Sequence, residues 1–175
     1  MRYADFERSI TSPSLKRVAS HWNVARGDRL MPAWPDIKPA CIASELPIIW
    51  YYSYDSEKDQ FTGRLAGDRI IQMFNKEFRG QPLQDIQPPD VFPQVHELLR
   101  RVVVEPAVYR GSGRIFRDLH RVGNGERIIL PLGNADGIGN GTLGATEYQY
   151  SRFTPEVSVE LKIEAEQWFS LSAPR

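Results

Sequence analysis

Residues 46–66 read LPIIWYYSYDSEKDQFTGRLA, and this stretch predicts two adjacent β-strands. Its first part, 46–54, is rich in β-branched and aromatic residues, which are enriched in strands. The polar segment 55–59 interrupts the apolar pattern, and a second strand is predicted over 60–66. Since a short turn joins the two strands, we expect an antiparallel hairpin. Ahead of it, the prolines within residues 31–39 predict an extended segment that packs onto the body of the fold.

The segments after the hairpin predict helices and then more strands. Gly67 ends the second strand, and a short helix is expected to follow it. Pro88 and Pro89 begin a longer helix, which Pro106 ends. The remaining segments are predicted as strands over 107–117, 119–122, 126–132 and 142–150.

Two turn signals connect these later strands. Asn124-Gly125 predicts a two-residue hairpin turn, because both residue types tolerate positive φ. The tetrapeptide at 134–137, NADG, predicts a second turn. Consecutive hairpins without β-α-β alternation favour an α+β fold, in which an antiparallel sheet has its helices on one face.

The C-terminal extension, residues 151–175, allows two interpretations. From Val157 to Ala165 apolar residues alternate with polar ones, which is the period of a strand. Thr154 and Pro155 nevertheless make a good helix start. We favour the strand, and the choice over 155–169 stays open.

Residues 13–26 predict an amphipathic helix, with Ser12 as its N-cap and Gly27 just past its end. Its apolar stripe has to be covered, either by the sheet of the same chain or by a second copy. We expect a homodimer, because a large aromatic residue is a typical interface anchor. The stripe consists of Leu15, Val18, Ala19 and Trp22.

The composition argues against several classes of protein. The 22 Lys and Arg residues balance 22 Asp and Glu residues, so a dedicated binder of nucleic acid or of an anionic membrane is not expected. Cys41 is the single cysteine, which excludes an internal disulfide and a multi-cysteine metal site. No apolar run is long enough to span a bilayer and no signal peptide is visible, so we expect a cytoplasmic protein.

Four short motifs follow one another in the chain: MPAWPDIKP at 31–39, RLAGDRI at 64–70, GQPL at 80–83 and RIILPLGNADG at 127–137. Together with the order of predicted elements, they resemble the stand-alone bacterial PAS domain family, long catalogued as a domain of unknown function. The likeness covers about two-thirds of the chain. It suggests an N-terminal helical extension (1–30), a PAS-like domain (31–150) and a C-terminal extension (151–175).

The resemblance implies a fold and a general role. The fold would be a five-stranded antiparallel sheet with helices on one face, here with an added N-terminal amphipathic helix. The role would be that of a sensor or adaptor in bacterial signalling, acting through a small ligand, a protein partner or both, without catalytic activity of its own. PAS relatives hold haem, flavin, small metabolites or nothing, so the resemblance assigns no cofactor.

The first predicted strand offers a candidate ligand pocket. Trp50, Tyr52 and Tyr54 share one face of it. With Phe74 and Phe92 they could line an apolar pocket that contains a few hydroxyls, the usual makeup of a small-molecule site. A filled aromatic core is the favoured alternative, because protein interiors pack without large voids.

His96 lies on the predicted long helix, where haem-binding PAS relatives place their iron ligand. It falls at the edge of the apolar stripe of that helix, so a structural or solvated histidine is favoured over a haem ligand. We count His96 among the residues of the candidate pocket.

An enzyme is the alternative class of function. Cone-shaped α+β barrel enzymes of the isomerase or dehydratase type have a similar length, and they need an Asp/His pair that faces a pocket. Asp118 and His120 are the candidates, since positions i and i+2 of a strand share a face. This hypothesis also requires six strands and a long helix ahead of the sheet.

Overall fold

One antiparallel sheet of six strands forms the middle of the fold in the computed structural model, which describes residues 3–117, 121–152 and 162–171. The strands are β1 (Ile49–Asp55), β2 (Gln60–Ala66), β3 (Ala107–Arg117), β4 (Arg121–Gly133), β5 (Gly139–Arg152) and β6 (Lys162–Ser170). Their order across the sheet is β2-β1-β5-β4-β3-β6. The predicted hairpin of β1 and β2 is present, with Asp55 opposite Gln60 at its turn. The α+β class is confirmed, with a sixth strand added at one edge.

Helices cover both faces of this sheet. They are α1 (Tyr3–Ser9), α2 (Pro13–Arg26), α3 (Asp68–Phe74), α4 (Leu83–Ile86) and α5 (Phe92–Val104). α3, α4 and α5 pack on one face, as predicted, whereas α1 and α2 pack on the opposite face. None of the helices in the described part of the chain is long and apolar enough to cross a membrane.

The apolar stripe of α2 packs against the sheet of its own chain. The helix has the predicted bounds, and the Ser12 hydroxyl accepts a hydrogen bond from the Leu15 N–H (3.2 Å). Trp22 donates from Nε1 to the Pro131 carbonyl oxygen in β4 (2.9 Å). This corrects the expectation that a second copy covers the stripe, although the homodimer itself stays a prediction. The four stripe residues, Leu15, Val18, Ala19 and Trp22, are each 0% exposed.

β4 runs straight through Asn124 and Gly125, so the hairpin turn predicted there is wrong. Gly125 lies opposite Tyr148 of β5. A Cβ at this position would collide with the carbonyl oxygen of Glu147. The glycine therefore permits a close approach of two strands and does not form a turn. Residues 118–120, between β3 and β4, lie outside the described residues.

The second predicted turn, between β4 and β5, is confirmed. Asn134 accepts hydrogen bonds on Oδ1 from the N–H groups of Asp136 (2.9 Å) and Ile138 (3.0 Å). Gly137 has a φ of 78°, a conformation that glycine adopts without steric cost.

The described part of the C-terminal extension is a strand, which confirms the favoured interpretation over 162–170. β6 pairs with β3 at the edge of the sheet, and residues 153–161 lie outside the described part. A bulge opposite Ser112 and Gly113 shifts the register of β6. Ile163 thereby joins Trp168 in the cluster of apolar residues on the α5 side of the sheet.

The segment ahead of β1 contains more local structure than the sequence predicted. Two 3₁₀ segments, Trp34–Asp36 and Pro39–Ile48, replace part of the expected extended chain and the start of the predicted first strand. The segment packs onto the body of the fold as expected, since the Trp34 ring stacks on the ring of Tyr51 (4.2 Å between centroids).

Candidate functional site

A cavity of about 300 Å³ lies between α5 and the strands β3, β4 and β6. Leu98 contributes an apolar wall from α5, and Ile115 and Ile163 contribute walls from β3 and β6. Gln94 and Glu97, which are exposed residues of α5, lie at its mouth. Its volume is at the lower end of the range of ligand pockets, ~300–1,000 Å³.

A second, smaller space of about 20 Å³ lies deeper, next to β1. It is lined by Trp50 and Tyr52 and shares Phe74, Leu98 and Arg127 with the larger cavity, so the two spaces adjoin.

The Tyr52 hydroxyl is buried beside this inner space. Among the described residues it has no hydrogen-bond partner, and the Gln87 amide lies near it outside hydrogen-bond geometry. Burial raises the pKa of Tyr52 far above its usual value. Tyr52 therefore remains a neutral phenol, with its hydrogen-bonding capacity unused.

Arg127 of β4 lines both spaces. Its Nε donates to Thr146 Oγ1 (3.1 Å), and its Nη2 donates to the Ile115 carbonyl oxygen (3.1 Å). Burial lowers the pKa of the Arg127 guanidinium, but arginine stays protonated in proteins. No carboxylate of a described residue forms an ion pair with it, in contrast to Arg110, which pairs with Glu126 (2.7 Å). The Arg127 charge therefore lies in the lining of both spaces, with no carboxylate of the described residues to neutralise it.

Thr146 of β5 positions two residues of the site. Its Oγ1 accepts from the Trp50 indole Nε1 (2.9 Å) as well as from Arg127. The indole packs against Gly144 of β5, where any Cβ would collide with the ring. A glycine and a threonine on one strand thus orient both Trp50 and Arg127.

Tyr109 and Trp168 complete the wall near the mouth. The Trp168 ring meets the Tyr109 ring edge-on (4.9 Å between centroids), and the Arg101 guanidinium lies 3.9 Å from the Trp168 ring centroid. Arg101 is also paired with Glu105 (3.1 Å). Burial raises the pKa of Tyr109 to about 12, so its hydroxyl keeps its proton at neutral pH.

The six predicted pocket residues do not form one site. Trp50 and Tyr52 line the inner space, and Phe74 lines both spaces. Tyr54 lies away from them: its ring stacks on Phe61, and its hydroxyl donates to Asp59.

Phe92 and His96 line a separate, polar surface depression beside the turn between β1 and β2. The His96 Nε2 lies 2.8 Å from the Asp59 carbonyl oxygen, and its ring contacts Phe61 and Phe92. Because this nitrogen is engaged and faces away from the two inner spaces, the arrangement does not fit a haem ligand.

Sequence reasoning missed Arg127, Tyr109 and Trp168 as residues of the site. The signals for Arg127 were its place at the start of the motif at 127–137 and its position as a charged residue next to the apolar run at 128–130. Trp168 lies in the C-terminal extension, whose position on the sheet depends on pairing with β3.

A family model described as a PAS domain matches residues 10–147. The chain belongs to the PAS domain family. The match begins within the predicted extension 1–30, so it includes α2, and the proposed domain boundaries stay a prediction. A general role as a signalling sensor or adaptor follows from this membership. None of the curated proteins compared with the chain matches it.

The alternative enzyme hypothesis depends on Asp118 and His120, which both lie outside the described residues. The six strands that it requires are present, but β2 and β6 stand at the two ends of an open sheet and do not close a barrel. Among the described residues, no group of three or more His, Cys, Asp or Glu side chains could hold a metal ion.

Proposed function

We propose that this chain is a PAS sensor that binds a small molecule between α5 and the sheet and has no catalytic activity of its own. The observation that supports it is the cavity of about 300 Å³ lined by Arg127 and adjoining Tyr52. The described residues give the Tyr52 hydroxyl no hydrogen-bond partner and form no ion pair with Arg127. Buried polar groups normally have partners. A ligand with matching polar atoms would supply them here.

The position of the cavity would allow a bound ligand to change the outer surface of the protein. Its walls come from α5 on one side and from β3 and β6 on the other, so a ligand would contact both elements at once. A ligand changes a protein's conformational equilibrium only when it binds two states with different affinity. The packing of α5 against β6 is the contact that a ligand in this place would change, and we propose that a signalling partner recognises the outer surface of these elements.

Cavity filling tests the proposed binding site. Leu98 lines both spaces, so we expect Leu98→Trp to fill them and to remove any small molecule that native mass spectrometry finds on the purified full chain. Val104→Trp, at a half-exposed position of the same helix, is the matched control and should keep that molecule. The proposal fails if the full chain holds no small molecule and a mixture of metabolites neither binds to it nor raises its melting temperature.

Self-association is a separate part of the proposal. The α2 stripe is covered by the chain's own sheet, so a homodimer would use another surface. Light scattering of the full chain reports this directly, and a particle of 20.0 kDa at high protein concentration would contradict a dimer.

A further inference from the structure

The unneutralised arginine restricts the chemistry of the ligand. Building on the proposed sensor function, we infer that the cavity between α5 and the sheet binds a small organic monocarboxylate, with its carboxylate on Arg127 and its apolar body toward Leu98 and Trp168. Three observations support this assignment: the charge inside the cavity, the free donor groups around it, and the apolar walls.

The charge inside the cavity calls for one negative group. Arg127 is half-buried, and a charge withdrawn from water is costly unless it is paired. Arg127 has no carboxylate partner among the described residues, whereas buried Arg110 has Glu126. Arg101, at the mouth, is already paired with Glu105. Glu166 lies at the mouth too, where it accepts a hydrogen bond from Trp168 Nε1 (2.7 Å) and opposes a second negative charge on the ligand.

The donor groups match a carboxylate. Arginine has five N–H donors, and the described residues accept only from Nε and Nη2 of Arg127. Its Nη1 has no acceptor among them. The Tyr52 and Tyr109 hydroxyls lie within electrostatic reach of the guanidinium. Arginine binds a carboxylate through paired N–H groups, and either phenol could donate to the same anion.

The apolar walls of the cavity indicate that the rest of the ligand is apolar. Leu98, Ile115, Ile163 and the Trp168 ring present apolar surface around the Arg127 end. Arg114 also lines the cavity, together with the acidic Glu97 and Glu166. A phosphate ester would bring up to two negative charges between these two glutamates, which oppose the second charge. A monoanion that is apolar away from its charged end satisfies both the arginine and the walls.

The test compares acids with their uncharged amides on the full chain by isothermal titration calorimetry. The probes are phenylacetate against phenylacetamide, isovalerate against isovaleramide, and phenyl phosphate as a dianion. We expect each acid to bind at least tenfold more tightly than its amide, because charge-assisted hydrogen bonds are about twice as strong as neutral ones. Phenyl phosphate should bind more weakly than phenylacetate.

Variants test whether Arg127 is the residue that distinguishes the acids from their amides. Arg127→Gln should lower the affinity for the acids at least tenfold and leave the affinity for the amides unchanged. Arg29→Gln removes an exposed arginine that pairs with Asp36 and does not line the cavity, and as the matched control it should keep the preference for acids. The comparison of acid with amide on the unmutated chain needs no variant, so it stands even where Arg127→Gln fails to fold.

The outcomes separate this inference from the proposed function. Equal affinity for acids and amides, tighter binding of phenyl phosphate, or undiminished acid binding by Arg127→Gln would overturn the monocarboxylate, while the ligand-binding cavity would stand. If none of the probes binds at millimolar concentration, the monocarboxylate is also overturned. Native mass spectrometry with Leu98→Trp then decides separately on the cavity.

Discussion

Glu126 is one of the side chains that attach the N-terminal helices to the sheet. It is buried on β4, where its carboxylate accepts from the Thr11 N–H (3.0 Å), the Ser12 N–H (2.7 Å) and Arg110 Nε (2.7 Å). Burial alone would raise the pKa of Glu126, but the hydrogen bonds from Thr11, Ser12 and Arg110 outweigh it and lower that pKa. One carboxylate thus neutralises a buried arginine and fixes the N-terminus of α2.

Glu126→Gln should therefore destabilise the protein in a pH-dependent way. At neutral pH the variant leaves Arg110 buried without its counter-charge, which costs about 3–5 kcal/mol. Because the pKa of Glu126 is lower in the folded chain, its contribution is complete above the unfolded value near ~4.3 and is lost as the pH falls through the folded value. Urea unfolding should thus show a gap between variant and unmutated chain that narrows in acid.

The control is Glu105→Gln, which removes an exposed carboxylate paired with Arg101. Exposed ion pairs contribute little, so this variant should change the free energy of unfolding slightly and without the same pH dependence. If the difference in the free energy of unfolding between Glu126→Gln and the unmutated chain stays constant with pH, the hydrogen bonds to Glu126 do not lower its pKa in the folded protein.

At the scale of elements, the apolar stripe of α2 is part of the core, because the sheet of the same chain covers it. Trp22→Ala would remove the hydrogen bond to the Pro131 carbonyl and leave a cavity under the helix, and we expect it to lower the free energy of unfolding by about 3–5 kcal/mol. Val24→Ala is the matched control on the same helix, since Val24 is 75% exposed and should shift stability by less than about 0.5 kcal/mol. Chemical unfolding measures both. If Trp22→Ala keeps its stability and only changes the mass of the particle, the stripe is an interface and not a core.

Elements defined by local chemistry could be predicted from the sequence. Ser12 and Gly27 bounded α2, and the turn at 134–137 separated β4 from β5. The role of Gly125 could not be predicted in this way. A side chain is excluded at this position by the backbone of Glu147, which lies on a neighbouring strand. The covered face of α2 likewise depends on contacts with strands more than 100 residues away, such as that of Trp22 with Pro131.

In the candidate site, too, the residues set by a local pattern could be predicted, and those set by strand order could not. Alternation along β1 placed Trp50 and Tyr52 correctly on the side of the inner space. The larger cavity lies instead between α5 and the distant strands β3 and β6, so Tyr109 and Trp168 became visible only with the strand order. Ile163 faces it because of a bulge, which a strict period of two does not reveal.

At the scale of the whole molecule, the sheet separates two apolar cores. One lies under α1 and α2, and the other lies under α3, α4 and α5 beside the cavity of about 300 Å³. β6 contacts both with adjacent residues. Trp168 meets Tyr109 on the α5 side, and Phe169 meets Phe6 of α1 edge-on (5.5 Å between centroids) on the other.

This pair of neighbours tests whether the two layers open independently. Trp168→Ala removes a half-buried ring from the α5 layer, so native-state hydrogen exchange should become faster in α5 and stay unchanged in α1. Phe169→Ala should have the reverse effect, and each variant is the control for the other because both truncate a half-buried aromatic of the same strand. Faster exchange across both layers in either variant would mean that the cores unfold as one unit. Separate responses would mean that a ligand beside Trp168 can alter the α5 surface while the α1 and α2 layer keeps the sheet in place.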